Sequence, residues 1–88
     1  MNFYKLIINC LNIEQEVEKT AVICVKCMLS LNDNDAAEIL AYILNNTSFV
    51  PEYDSYTVNI HAVTKNNPSK YTDKVKANIN GKEITIFN

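Results

Sequence analysis

Residues 13–29, from Ile13 to Leu29, hold the longest periodic apolar signal in the chain. At 100° per residue Ile13, Val17, Ala21, Cys24 and Met28 fall on one stripe, which Leu31 continues. Asn12 is placed to cap a first turn, with Gln15 at the reciprocal capping-box position. Glu14, Glu16 and Glu18 would set negative charge at the positive end of the helix dipole. The stretch is therefore expected as a helix that the other elements pack against. Val22, Val25 and Leu29 form a second apolar stripe, turned away from the first. A homodimer through this second face is expected wherever the rest of the fold leaves it bare.

Along the rest of the chain, residues 3–10 alternate as a strand, with Tyr4, Leu6, Ile8 and Cys10 on one face. After a tight connection at 30–34, Asp35 is expected to cap a second helix with Glu38 as its capping-box partner. That helix would run to about Asn45, with Ala36, Ile39, Leu40, Ile43 and Leu44 on its apolar side. The short connection predicts an antiparallel helical hairpin. Residues 46–55 lose all periodicity, and a strand is expected at 56–64 with Tyr56, Val58, Ile60 and Ala62 on one face. Residues 65–70 carry loop chemistry.

The dipeptide Asn80-Gly81 is the preferred centre of a type I′ hairpin turn. Pairing outward from it sets Ile79 against Lys82, Ala77 against Ile84 and Val75 against Ile86. That register puts the apolar residues of both strands on one face. The order β-α-α-β-β-β predicts one α+β domain over residues 1–88. Its two layers would be a mostly antiparallel four-stranded sheet, the last three strands a meander, and a helical hairpin covering one face.

Charge is unevenly spread. Residues 1–54 carry a net of −5 and residues 55–88 a net of +3. All eight cations are Lys, so the bidentate clamp that Arg offers to phosphate or guanine is missing. The absence of Arg, with thirteen Asn, suits an AT-rich coding sequence. Neither a signal peptide nor a membrane span is read from the sequence, and the odd cysteine count suits reduced thiols in a cytoplasmic protein.

Few residue groups carry chemistry. Cys24-Val25-Lys26-Cys27 has redox or zinc spacing, and Cys10 with His61 would complete a zinc set. The motif lies about three turns into the expected helix, away from the dipole end that activates such thiols, so buried free thiols are expected. Asp33-Asn34-Asp35 with Glu38 lacks the glycine and distal Glu of a calcium loop, so helix capping accounts for it. His61, the only histidine, has no acid or nucleophile in motif relation to it, and its strand position reads as solvated. Neither an enzyme, a cofactor nor a metal is expected.

Two surfaces remain. Phe49, Glu52, Tyr53, Asp54 and Tyr56 place aromatic and acidic groups together on an irregular segment, a composition that suits a partner-binding site. Lys65, Lys70, Lys74, Lys76 and Lys82 concentrate on the hairpin half, with Tyr71 or Phe87 available for stacking on nucleic acid. The leading expectation is a small protein-binding module whose partner has a basic, nucleic-acid-binding groove. A phage or mobile-element inhibitor of a host enzyme or defence complex would have this form. A nucleic-acid-binding module using the lysine-bearing hairpin is the alternative.

Overall fold

The computed structural model describes residues 1–64 and 71–88; the expected loop at 65–70, with Lys65 and Lys70, lies outside them. Five strands and one helix follow the order β1 (Asn2–Leu11), β2 (Val17–Cys27), α1 (Asp33–Asn46), β3 (Ser55–Val63), β4 (Lys74–Ile79) and β5 (Lys82–Phe87). The strands form one sheet in the order β3-β1-β2-β5-β4, every neighbouring pair antiparallel. The expected four-stranded sheet under a two-helix hairpin is thus replaced by a five-stranded sheet with a single helix.

The correction lies at residues 13–29. Three members of the predicted helical stripe, Ile13, Val17 and Met28, are exposed at 82%, 57% and 70%. The stretch is instead a tight loop at 12–16 followed by β2. Asn12 does use its side chain as a cap would, but on a turn: its Oδ1 accepts from the Glu14 and Glu16 amides at 3.0 and 3.1 Å. Its own amide and carbonyl bond the Glu16 carbonyl and the Gln15 amide, and Gln15 takes a positive φ of 64°. Val17, Thr20, Val22, Ile23 and Val25 are β-branched, which favours a strand once pairing is available.

Alternation assigns the faces. Tyr4, Leu6, Ile8 and Cys10 of β1 lie beside Val25, Ile23 and Ala21 of β2 and beside Ala62, Ile60, Val58 and Tyr56 of β3. Ile84 and Ile86 of β5 continue that face next to Cys27 and Val25. Against it lie Ile39 and Ile43, both at 0% exposure, with Ala36 and Leu40. Each fully buried isoleucine contributes roughly 1.5–3 kcal/mol.

The β4–β5 hairpin has the expected register, Ile79 to Lys82, Ala77 to Ile84 and Val75 to Ile86. Asn80 and Gly81 take φ of 53° and 78°, the positive values a type I′ turn requires. The last three strands do not form a meander, because β3 and β4 stand at opposite edges of the sheet. The position of β1, which the sequence leaves open, is between β3 and β2.

The helix starts earlier than its sequence signals suggest. Asn32, not Asp35, is the N-cap, and Asp35 is its capping-box partner at the third helical position. Asp35 is 2% exposed and holds the helix to the hairpin. Its carboxylate accepts from Asn80 Nδ2 at 2.9 Å, from Lys82 Nζ at 2.6 Å and from the Asn32 amide at 3.0 Å. The bonds from Asn80 and Lys82 outweigh desolvation and hold the carboxyl well below its usual range, at about 2. Lys82 also donates to the Ser30 carbonyl at 3.0 Å, which removes it from the set of free cations.

Candidate functional site

The loop 47–54 leaves the helix by a side-chain cap. Thr47 Oγ1 donates to the Ile43 carbonyl at 2.8 Å and accepts from the Phe49 amide at 3.2 Å. Val50 is buried in the core, and Phe49 packs half-buried against it. Tyr56, at the start of β3, then turns its hydroxyl back on the loop. It donates to the Pro51 carbonyl at 2.9 Å and accepts from the Tyr53 amide at 2.7 Å. A segment without regular structure is thereby fixed at both ends by side-chain hydrogen bonds.

Between this loop and the end of α1 lies an open groove of about 430 Å³, lined by Leu44, Asn45, Thr47, Val50, Glu52, Tyr53 and Tyr56. Three of the five expected partner-binding residues, Glu52, Tyr53 and Tyr56, come together in it. Asp54 stands exposed nearby in the chain, while Phe49 serves the core. Among the described residues the one charged side chain lining the groove is Glu52, which gives these walls an acidic bias. The sequence marks Leu44 and Asn45 only as the end of a helix and Thr47 not at all, so none of the three reads as a site residue. Their signal is the loss of helical period just after Leu44, which marks where a helix end must meet the following loop.

The other expected sites disperse or change character. Val22, Val25 and Leu29 do not make up the single helical stripe expected of them, since β2 is a strand and its residues 22 and 25 point to opposite sides. Val25 is buried on the helix side, Val22 is exposed on the other, and Leu29 follows the strand. The same alternation separates Cys24 from Cys27, so the C-x-x-C cannot close on one ion or one disulfide. Cys10 sits opposite Lys19, far along the ladder from Cys27 opposite Asn2. All three cysteines are free and buried, and desolvation pushes the Cys10 thiol up. Among the described residues no group of three or more His, Cys, Asp or Glu is placed to hold a metal. No helix is long and apolar enough to cross a membrane among these residues.

The face away from α1 carries two rows that run across all five strands. His61, Lys5, Cys24, Phe87 and Lys74 form one; Val63, Phe3, Lys26, Thr85 and Lys76 form the other. Four lysines thus share this face. Tyr71 lies over part of it, its hydroxyl paired with Cys24 Sγ and its ring 6.0 Å from that of Phe87. Lys26 Nζ stands 5.7 Å from the Phe87 ring centre. Phe87 is consequently buried and not available for stacking. The bond to Cys24 and burial together raise the Tyr71 phenol above its ordinary pKa.

Comparison of the chain with protein-family models, curated proteins and solved structures finds no match in any of the three.

Proposed function

We propose that this protein is a non-catalytic protein-binding module that engages its partner through the groove between the end of α1 and the 50–56 loop. The observation that carries the reading is the Tyr56 hydroxyl bridging Pro51 and Tyr53, which holds Tyr53 and Glu52 at the groove before any partner arrives. A loop ordered in advance loses less freedom on binding, and a tyrosine with two side-chain torsions loses little more. The acidic bias of Glu52 and Asp54 selects a partner surface rich in Lys or Arg, with charge setting the encounter rate and the aromatic contact the lifetime. Occupancy of such a basic surface is how a phage or mobile-element inhibitor of a nucleic-acid-handling host enzyme would act, and the composition suits that origin.

The test is titration with extended Lys- and Arg-containing peptides, read by amide chemical shifts. Shifts are expected to concentrate at residues 44–56, and Tyr53→Ala is expected to weaken binding by ~1–3 kcal/mol, roughly five- to 150-fold, with the fold intact. Lys74→Ala combined with Lys76→Ala is expected to do little.

The second reading, a nucleic-acid-binding module, rests on the four lysines that share the face opposite the helix. Binding of an oligonucleotide with a steep salt dependence, lost in the double lysine variant and untouched by Tyr53→Ala, would establish it in place of the first.

A further inference from the structure

The two edges of the sheet differ in a way that points to a partner. The β4 edge carries Lys74 and Lys76 in a six-residue strand, the usual protection against strand addition. The β3 edge runs for nine residues, Ser55–Val63, without a charged residue or a proline. Its pairing with β1 is uninterrupted, with no bulge to twist the edge away. At about 3.4 Å per residue this is an uninterrupted edge of roughly 30 Å. Among the described residues no strand pairs with its outer side.

We propose that this edge pairs antiparallel with β3 of a second copy of the chain, joining two five-stranded sheets into one continuous sheet. The sequence of β3 is self-complementary about Asn59. A two-fold axis through that residue sets Val58 opposite Ile60 and Tyr56 opposite Ala62, all on the helix-bearing face. Tyr56, Val58 and Ile60 are half-buried at the margin of the core, so the pairing extends the apolar layer across the dyad. On the opposite face Asn59 meets Asn59 and Thr57 meets His61, both polar pairs with no like charges opposed. A one-residue slip would set apolar against polar faces, so the alternation admits only registers that keep the two apolar layers on one side, and the axis through Asn59 pairs the most residues of the strand. The surface is distinct from the Val22, Val25 and Leu29 set, and the inference does not depend on the groove reading.

The experiment measures mass against concentration by ultracentrifugation for three proteins. The unaltered chain is expected to dimerise. Asn59→Lys opposes two like charges across the axis and is expected to shift the protein to monomer at concentrations where the unaltered chain is dimeric. Asn59 is exposed, so an unchanged circular dichroism spectrum and a retained cooperative unfolding transition separate this effect from misfolding. Asn59→Cys introduces an exposed thiol beside three buried ones and is expected to form a disulfide-linked dimer on mild oxidation. A unaltered chain that stays monomeric at every concentration would overturn the proposal. So would a dimer that is insensitive to Asn59→Lys and not cross-linked through Asn59→Cys, which would place the interface elsewhere.

Discussion

Replacing Asp35 by Ala strikes the contact that joins the helix to the β4–β5 hairpin. The carboxylate accepts three hydrogen bonds, from the Asn32 amide, Asn80 Nδ2 and Lys82 Nζ, within a site exposed by only 2%. Breaking a fully buried ion pair costs about 3–5 kcal/mol because the remaining charge is stranded. Lys82 is not wholly stranded: its side chain keeps 22% exposure and it still reaches the Ser30 carbonyl. The expected loss is therefore about 2–4 kcal/mol, shared between the orphaned Asn32 amide and Asn80 and the weakened charge. Urea denaturation at neutral pH measures it. A loss below about 0.5 kcal/mol, the level of an ordinary surface change, would refute the assignment of the brace.

The same contact has a pH signature. Asp35 is lowered from 3.8 to about 2 in the folded protein, so the folded state holds the charged form more tightly than the unfolded chain does. A depressed carboxylate stabilises the fold above its unfolded pKa and loses that contribution as pH falls through the folded value. The contribution is present above about pH 5 and disappears between about pH 4 and pH 2. With screening through the exposed part of Lys82, it amounts to about 1–2 kcal/mol. The stability gap between the unaltered chain and Asp35→Asn is expected to narrow by that amount over this window. A gap that stays constant from pH 6 to pH 2 would show that the charge of Asp35 does not matter.

Gly81→Val is expected to destabilise by roughly 1–3 kcal/mol through backbone strain alone, since φ is +78° and an added Cβ meets no atom within 4 Å; an unchanged urea midpoint would contradict this. Cys24→Ala, which removes a sulfur exposed by 1%, is expected to cost about 1–2 kcal/mol. The same substitution removes the bond that raises the Tyr71 phenol, so that group is expected to titrate at lower pH in an absorbance titration.

Much of the sheet is readable because its strands bury one face and leave the other polar. In β3 Tyr56, Val58, Ile60 and Ala62 alternate with Thr57, Asn59 and His61, and the observed pairing with β1 follows that alternation. At the hairpin, Asn80-Gly81 sets both the turn and, by counting outward, every pair of the ladder. β2 defeats the same logic because it is apolar on both faces where it is buried. Ile23 and Val25 lie under the helix side, while Cys24 between them is covered by Tyr71 on the other. A run such as Ala21–Val25 has neither a two-residue nor a 3.6-residue period of its own, so periodicity has to be borrowed from its flanks. Those flanks, Ile13, Val17 and Met28, happened to sit at helical spacing while being exposed. The β-branched content of 17–25 was the better guide, since crowding against a preceding helical turn disfavours it and a pleated, paired surface accommodates it.

One misassigned strand also explains why the functional surfaces were only partly legible. As a helix, residues 13–29 would put Val22, Val25 and Leu29 on one side and Cys24 with Cys27 within reach of a common partner. As a strand they are divided between two faces, and both the dimer stripe and the C-x-x-C lose their geometry together. The 49–56 segment escaped this error because its aromatic and acidic content does not depend on a period. What the sequence does not display is the hydroxyl of Tyr56 folding back to Pro51 and Tyr53, because a side-chain bond within an irregular segment leaves no periodic pattern. The helix end is held at the same place by a chain of contacts that begins at its other end. Asp35 ties the first turn to Asn80 and Lys82, and the buried face from Ala36 to Ile43 lays the remaining turns across the sheet toward β3. The groove is therefore a consequence of how the helix is laid on the sheet, anchored at Asp35 at one end and capped by Thr47 at the other.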